Sequence, residues 1–83
     1  MIVQVLYFSW VREKVGLSKE TIDTEAETVS DLIMELCIKD ERYKLAFSNL
    51  DVIRVALDQE LADQSSSIEA VKEVAFFPPM TGG

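Results

Sequence analysis

The chain has 83 residues, 48% of them hydrophobic, with 15 acidic residues against 8 basic ones and a formal net charge of −7. A chain of this length buries roughly 60–65% of its unfolded surface, enough for one modest core but not for a large catalytic cleft beside it. The acidic balance argues against nucleic acid and anionic membranes as partners, since both rely on Lys and Arg, and favours a basic groove on a protein.

The first element is an apolar strand in which Val3, Val5 and Tyr7 alternate with Gln4, Leu6 and Phe8. It has no basic residue before Arg12, so it reads as a strand and not as a secretion signal, and the expected location is cytoplasmic. Residues Ser9 to Val15 suit a short helical turn that Gly16 can stop. Lys19 to Asp23 is a polar, weakly alternating edge strand paired back on the first, with charge guarding its open side.

The clearest helix follows. Thr28 is placed as its N-cap with Asp31 three residues on, and Val29, Leu32, Ile33, Leu36 and Cys37 recur with helical spacing on one buried face. The helix ends near Lys39-Asp40, and Tyr43 to Phe47 adds one more helical turn. Val52 to Leu57 reads as a strand, Asp58-Gln59 as a two-residue turn, and Glu60-Leu61-Ala62 as a short return strand. A polar loop runs from Asp63 to Ser67, and Glu73 to Phe77 forms the last strand. The expected fold is an α+β roll with a small mixed sheet packed on one main helix. Its body spans residues 1–77, with a flexible functional tail at 78–83.

The chain offers little conventional catalytic chemistry. It contains no histidine, the commonest acid–base side chain near neutral pH. Cys37, the only cysteine, lies on the apolar helix face, which argues for packing rather than nucleophilic attack. The carboxylates at Glu25–Glu27 and Asp40-Glu41 lack His or Cys co-ligands and calcium-loop spacing, so a solvated surface is expected and no metal site. Gly16 is the only internal glycine, so there is no glycine-rich phosphate loop.

The terminal carboxylate is the remaining reactive group. Pro78-Pro79 favours an extended exit from the last strand, and residues 78–83 can span roughly 20 Å. Gly82 and Gly83 lack Cβ atoms and can enter a narrow channel in another protein, where the carboxylate of Gly83 can be activated. Side-chain alternation puts Val74 and Phe76 on the inner sheet face and Glu73, Ala75 and Phe77 on the outer. Gln4 and Arg54 mark the same outer face on their strands, so Phe8 and Phe77 should be exposed near the tail root, with Leu61 joining them as a partner surface. Trp10 suits either the core or the rim of that surface.

These residues carry a family likeness over essentially the full length. The chain resembles the small subunits of molybdopterin synthase, which are β-grasp, ubiquitin-like sulfur carriers. The likeness rests on Tyr7-Phe8, Val11-Arg12-Glu13-Lys14-Val15-Gly16, the Thr28–Leu36 helix, Asp58-Gln59-Glu60, and the ending Val74-Ala75-Phe76-Phe77-Pro78-Pro79-Met80-Thr81-Gly82-Gly83. The resemblance implies no permanently bound cofactor. An E1-like adenylating enzyme uses ATP to activate Gly83, and a sulfur donor protein converts the adenylate to a thiocarboxylate. The large synthase subunit, in an expected heterotetramer, then receives the threaded tail, and the sulfur passes to cyclic pyranopterin monophosphate to form the dithiolene. It further implies a partner interface at Phe8, Leu61 and Phe77, continued by Pro78, Pro79, Met80 and Thr81. A ubiquitin-like protein modifier, or a carrier for thiamine or tRNA thiolation, would need the same Gly-Gly end. Two departures stand out. Asp58 occupies a turn position that is often Asn in the family, and Ala70-Val71-Lys72 replaces a common Gly-Asp pair, so the loop over residues 65–72 is expected to differ.

Overall fold

A computed structural model describes residues 1–79. Five strands form one mixed sheet: β1 (Ile2–Tyr7), β2 (Lys19–Asp23), β3 (Arg54–Leu57), β4 (Glu60–Ala62) and β5 (Glu73–Phe77), in the order β2-β1-β5-β3-β4. Only the β1–β5 pair is parallel, and the other three neighbouring pairs are antiparallel. This is the β-grasp roll that the sequence implies. Its helices are α1 (Ser9–Val15), the main helix α2 (Val29–Lys39) and α3 (Glu41–Ala46).

The local signals act as expected at most ends. The Thr28 hydroxyl accepts from the Asp31 backbone N–H at 3.2 Å, so one of the unpaired donors at the start of α2 is satisfied. Gly16 closes α1 in the left-handed conformation (φ 86°), and its N–H bonds the Arg12 carbonyl. Asp40 ends α2 and caps α3 through its carboxylate, which accepts from the Arg42 backbone N–H. That backbone hydrogen bond holds the Asp40 carboxyl below the usual carboxylate range. The turn at Tyr43–Phe47 is therefore the end of a complete short helix beginning at Glu41.

Two boundaries differ from the sequence reading. The third strand begins at Arg54, because Leu50–Val52 winds into a 3₁₀ turn capped by the Asn49 side chain. The first strand ends at Tyr7, although Phe8 still donates its N–H to the Phe76 carbonyl before α1 starts.

The core fills the space between the inner sheet face and the helices. Val3, Val5 and Tyr7 from β1, Val74 and Phe76 from β5, and Val29, Leu32, Ile33 and Leu36 from α2 are all buried, as alternation and helical spacing require. Phe76 stacks on Tyr7 (centroids 6.2 Å apart) and meets Phe47 edge-on at 4.9 Å. Glu20 is an inward-facing charge on edge strand β2, since its register partner is Val5. Its carboxylate accepts from the hydroxyls of Tyr7 and Tyr43 and pairs with Lys39 at 3.5 Å, so this polar cluster is satisfied. Burial, reinforced by the Glu20 carboxylate, pushes the Tyr7 hydroxyl far up and that of Tyr43 up to about 12.

Cys37 is half-buried and packs against this core. Burial raises its thiol pKa against the opposing pull of Lys44.

The loop before β5 carries a local strain. Ala70 sits at φ 64°, a conformation that glycine adopts without a Cβ penalty. The resemblance places a glycine in this loop, and here an alanine takes the left-handed position.

Candidate functional site

The site is built from the outer face of the sheet, at the end where β5 delivers the chain to Pro78. Hydrogen-bonded register sets the side chains out in rows. The row nearest the tail holds Phe8, Phe77 and Arg54. The next runs Lys19, Leu6, Ala75, Ala56 and Leu61 across all five strands. The third holds Thr21, Gln4 and Glu73, with Asp58 at the turn beside it.

The sequence-derived surface residues thus come together, with different exposures. Phe8 is 45% exposed and Leu61 80%, whereas Phe77 is half-buried. Phe8 and Phe77, with Pro78, Pro79, Ala56 and Ala75, line an open, mostly apolar cleft of about 630 Å³ whose polar margin is Ser9, Gln59 and Glu73. Leu61 lies beside the cleft through its pairing with Ala56, not in its lining. Ala75 and Ala56 form the floor, and the sequence reading did not single out Ala56. Its signal was the outward phase that it shares with Arg54 two residues earlier.

Pro78 and Pro79 are half-buried and also line a second groove with Ser9, Trp10 and Val52. Trp10 packs on the core and edges the proline groove, but it does not line the Phe8–Phe77 cleft. Met80, Thr81, Gly82 and Gly83, expected to enter the partner, lie outside the described residues.

The turn over the cleft is fixed by Asp58. Asp58 and Gln59 have φ values of 49° and 73°, the pair of positive angles that a tight two-residue hairpin needs. One oxygen of the Asp58 carboxylate accepts the backbone N–H groups of Lys72 and Glu73, at 3.0 and 2.9 Å. The Asp58 N–H in turn donates to the Glu73 carbonyl. These bonds tie the β3–β4 hairpin to the start of β5, so they set the height of Gln59 and Glu73 on the cleft margin.

Among the described residues, Glu73 is the only ionisable one that lines the cleft. Among the described residues, no group of three or more His, Cys, Asp or Glu is placed to hold a metal ion, and no helix is long and apolar enough to cross a membrane. A comparable depression at the far end of the molecule, between Met1, Thr24–Thr28, Ser67 and Glu69, is bordered by Glu25, Glu27 and Glu69. The arrangement near the tail can hold an apolar surface of another protein against the root of the terminal segment.

Comparison with known proteins agrees with this geometry. The model of the ThiS family matches residues 5–83. The molybdopterin synthase sulfur carrier subunit of Escherichia coli (strain K12) is 33% identical over 81 residues, covering 98% of this chain and 99% of that protein. Among solved structures, SAMP1 from Haloferax volcanii superposes with a TM-score of 0.74 at 24% identity, covering 100% of both chains. A complex of subunits 1 and 2 of the molybdopterin-converting factor from Helicobacter pylori 26695 contains a chain with a TM-score of 0.66 at 24% identity, again covering 100% of both. At that identity these two structures show a shared fold.

Proposed function

The chain belongs to the ThiS family, and on that premise we propose that it carries sulfur for molybdopterin synthesis as the small subunit of a synthase. The observation that carries this reading is the full-length match to a sulfur carrier subunit. The apolar cleft that runs directly onto Phe77-Pro78-Pro79 supports it. The cleft supplies a docking face for a large subunit, and the tail beyond Pro79 supplies the reacting end. Residues 80–83 can reach at most ~14 Å past the prolines, enough to cross the wall of a partner and enter its site.

The chemistry is that of an activated carboxylate. An E1-like enzyme joins the Gly83 carboxylate to the adenylyl group of ATP, releasing pyrophosphate. Sulfide-level sulfur from a donor protein attacks the acyl carbon and displaces AMP, leaving a thiocarboxylate. Inside the large subunit that sulfur bonds to a carbon of cyclic pyranopterin monophosphate, water cleaves the acyl carbon–sulfur bond, and the carrier returns as a carboxylate, one carrier for each sulfur. Glycines at 82 and 83 permit close approach of nucleotide and pterin to the backbone.

The test is intact mass spectrometry after incubation with the activating enzyme, ATP and a sulfur source. Replacement of one oxygen by sulfur at Gly83 is expected, with loss of turnover and unchanged folding for Gly83→Ala. Absence of the exchange would sink the proposal. Higher-mass lysine conjugates in its place would mark a protein modifier.

A further inference from the structure

The outer face carries a charge pattern that apolar docking alone does not need. Lys19 and Arg54 both lie on it, at opposite sides of the apolar band and toward the tail end. Lys19 shares a row with Leu6, Ala75, Ala56 and Leu61, and Arg54 is the register partner of Phe77. Three strand spacings separate them, roughly 15 Å across the sheet.

Both side chains are exposed, and neither forms an ion pair among the described residues; the same holds for Arg12, Lys14 and Lys72, so what sets Lys19 and Arg54 apart is their place on the outer face. Arg54 is also held in place. Its Nη1 donates to the Asp51 carbonyl at 3.0 Å and contacts the Ile53 carbonyl at 3.4 Å. Its Nε and Nη2 have no partner among the described residues, which leaves one edge of a rigid fork for an incoming acceptor. The opposite end of the face is anionic, with Glu73 on the cleft margin and Asp58 beside it.

We propose that this face is read by a protein partner presenting two carboxylates about 15 Å apart, which meet Lys19 and Arg54 on either side of an apolar ridge seated in the cleft. The anionic far end repels the same partner docked in reverse, so the charges fix the direction in which the tail is delivered. Carboxylates suit these two sites because Lys19 and Arg54 are exposed cations, although the chain's net charge of −7 makes a uniformly acidic partner unfavourable. Only acidic groups placed locally, opposite the two cations, gain from the contact.

This inference rests on the carrier reading and names the chemistry of its partner. It is tested by measuring association of the full chain with the purified large synthase subunit, at low and high salt. Lys19→Glu and Arg54→Glu are each expected to weaken binding about tenfold or more at low salt, mostly through a slower on-rate, and to flatten the salt dependence. Lys72→Glu changes net charge equally but lies at the start of β5, away from the tail, and is expected to shift binding by less than about twofold. Thermal unfolding of the Lys19 and Lys72 variants should match the parent, since each side chain is exposed, whereas Arg54→Glu also loses the bonds to the Asp51 and Ile53 carbonyls and should melt slightly lower. Wild-type binding that is tight, yet indifferent to both reversals, overturns this inference and leaves the carrier reading standing. No binding by a wild-type chain, together with no thiocarboxylate formation, overturns both.

Discussion

Adjacent phenylalanines at the end of β5 face opposite sides of the sheet, and truncating each in turn separates folding from docking. Phe76 is fully buried, between Tyr7 and Phe47. Removing such a ring costs about 3–5 kcal/mol through lost burial and the cavity left behind. An 83-residue chain has a total stability of roughly 4–12 kcal/mol, so Phe76→Ala takes away a large share of it. At about 4–8 °C per kcal/mol for a domain of this size, the melting temperature should fall by at least ~12 °C.

Phe77 is half-buried, with the larger part of its ring resting on the fold and a remainder on the order of 50 Å² facing the cleft. At ~25 cal/mol per Å², covering that remainder contributes about 1 kcal/mol, so Phe77→Ala should raise the dissociation constant for the partner ~5-fold and cost about 2–3 kcal/mol of stability, less than Phe76→Ala. Urea unfolding and calorimetric titration with the large subunit measure the two effects. Equal loss of stability in both variants would refute the assignment of faces. So would a stable Phe77→Ala protein whose dissociation constant moves less than about twofold.

Two further predictions concern the body that presents the tail. Ala70→Gly should raise stability by about 0.5–1 kcal/mol, because relief of the left-handed strain exceeds the extra chain entropy glycine brings to the unfolded state; a lower urea midpoint would contradict it. Tyr7 and Tyr43 bind their protons more tightly when folded, so their contribution is complete below pH ~10, where unfolded tyrosine starts to ionise, and is lost as pH rises toward about 12, the folded value of Tyr43. The fall is at most ~1.4 kcal/mol per pH unit for each tyrosine, and Tyr43→Phe should roughly halve it in unfolding curves across that range. An unchanged slope would show that another group drives alkaline unfolding.

Much of the fold was legible locally because its signals are local. Alternation in β1 and β5 separated Val3, Val5, Tyr7, Val74 and Phe76 from Leu6, Phe8, Ala75 and Phe77, and the helical spacing of Val29 to Leu36 named the face that covers the core. Thr28, Gly16 and the Asp58-Gln59 turn marked chain boundaries through backbone geometry that depends on a few neighbours. The start of β3 was placed too early because Val52-Ile53 continues the apolar run into the strand, yet the Asn49 cap winds Leu50–Val52 into a turn.

By itself, then, the sequence determined which residues face inward, where the elements break, and that the chain runs from an apolar strand through Pro78-Pro79 to a glycine end. Tertiary structure alone decided which strands became neighbours. With β5 inserted between β1 and β3, Phe8, Ala75, Ala56 and Arg54 share one surface although they are far apart in the chain. The same placement brings Pro78 and Pro79 to one groove with Trp10 and Val52, and Tyr7 and Tyr43 to one carboxylate on β2. Side-chain alternation repeats every two residues whichever strand lies alongside, so it carries no information about neighbours. The choice of neighbours falls to the long-range packing of the whole core, which the inner faces of all these strands must satisfy at once.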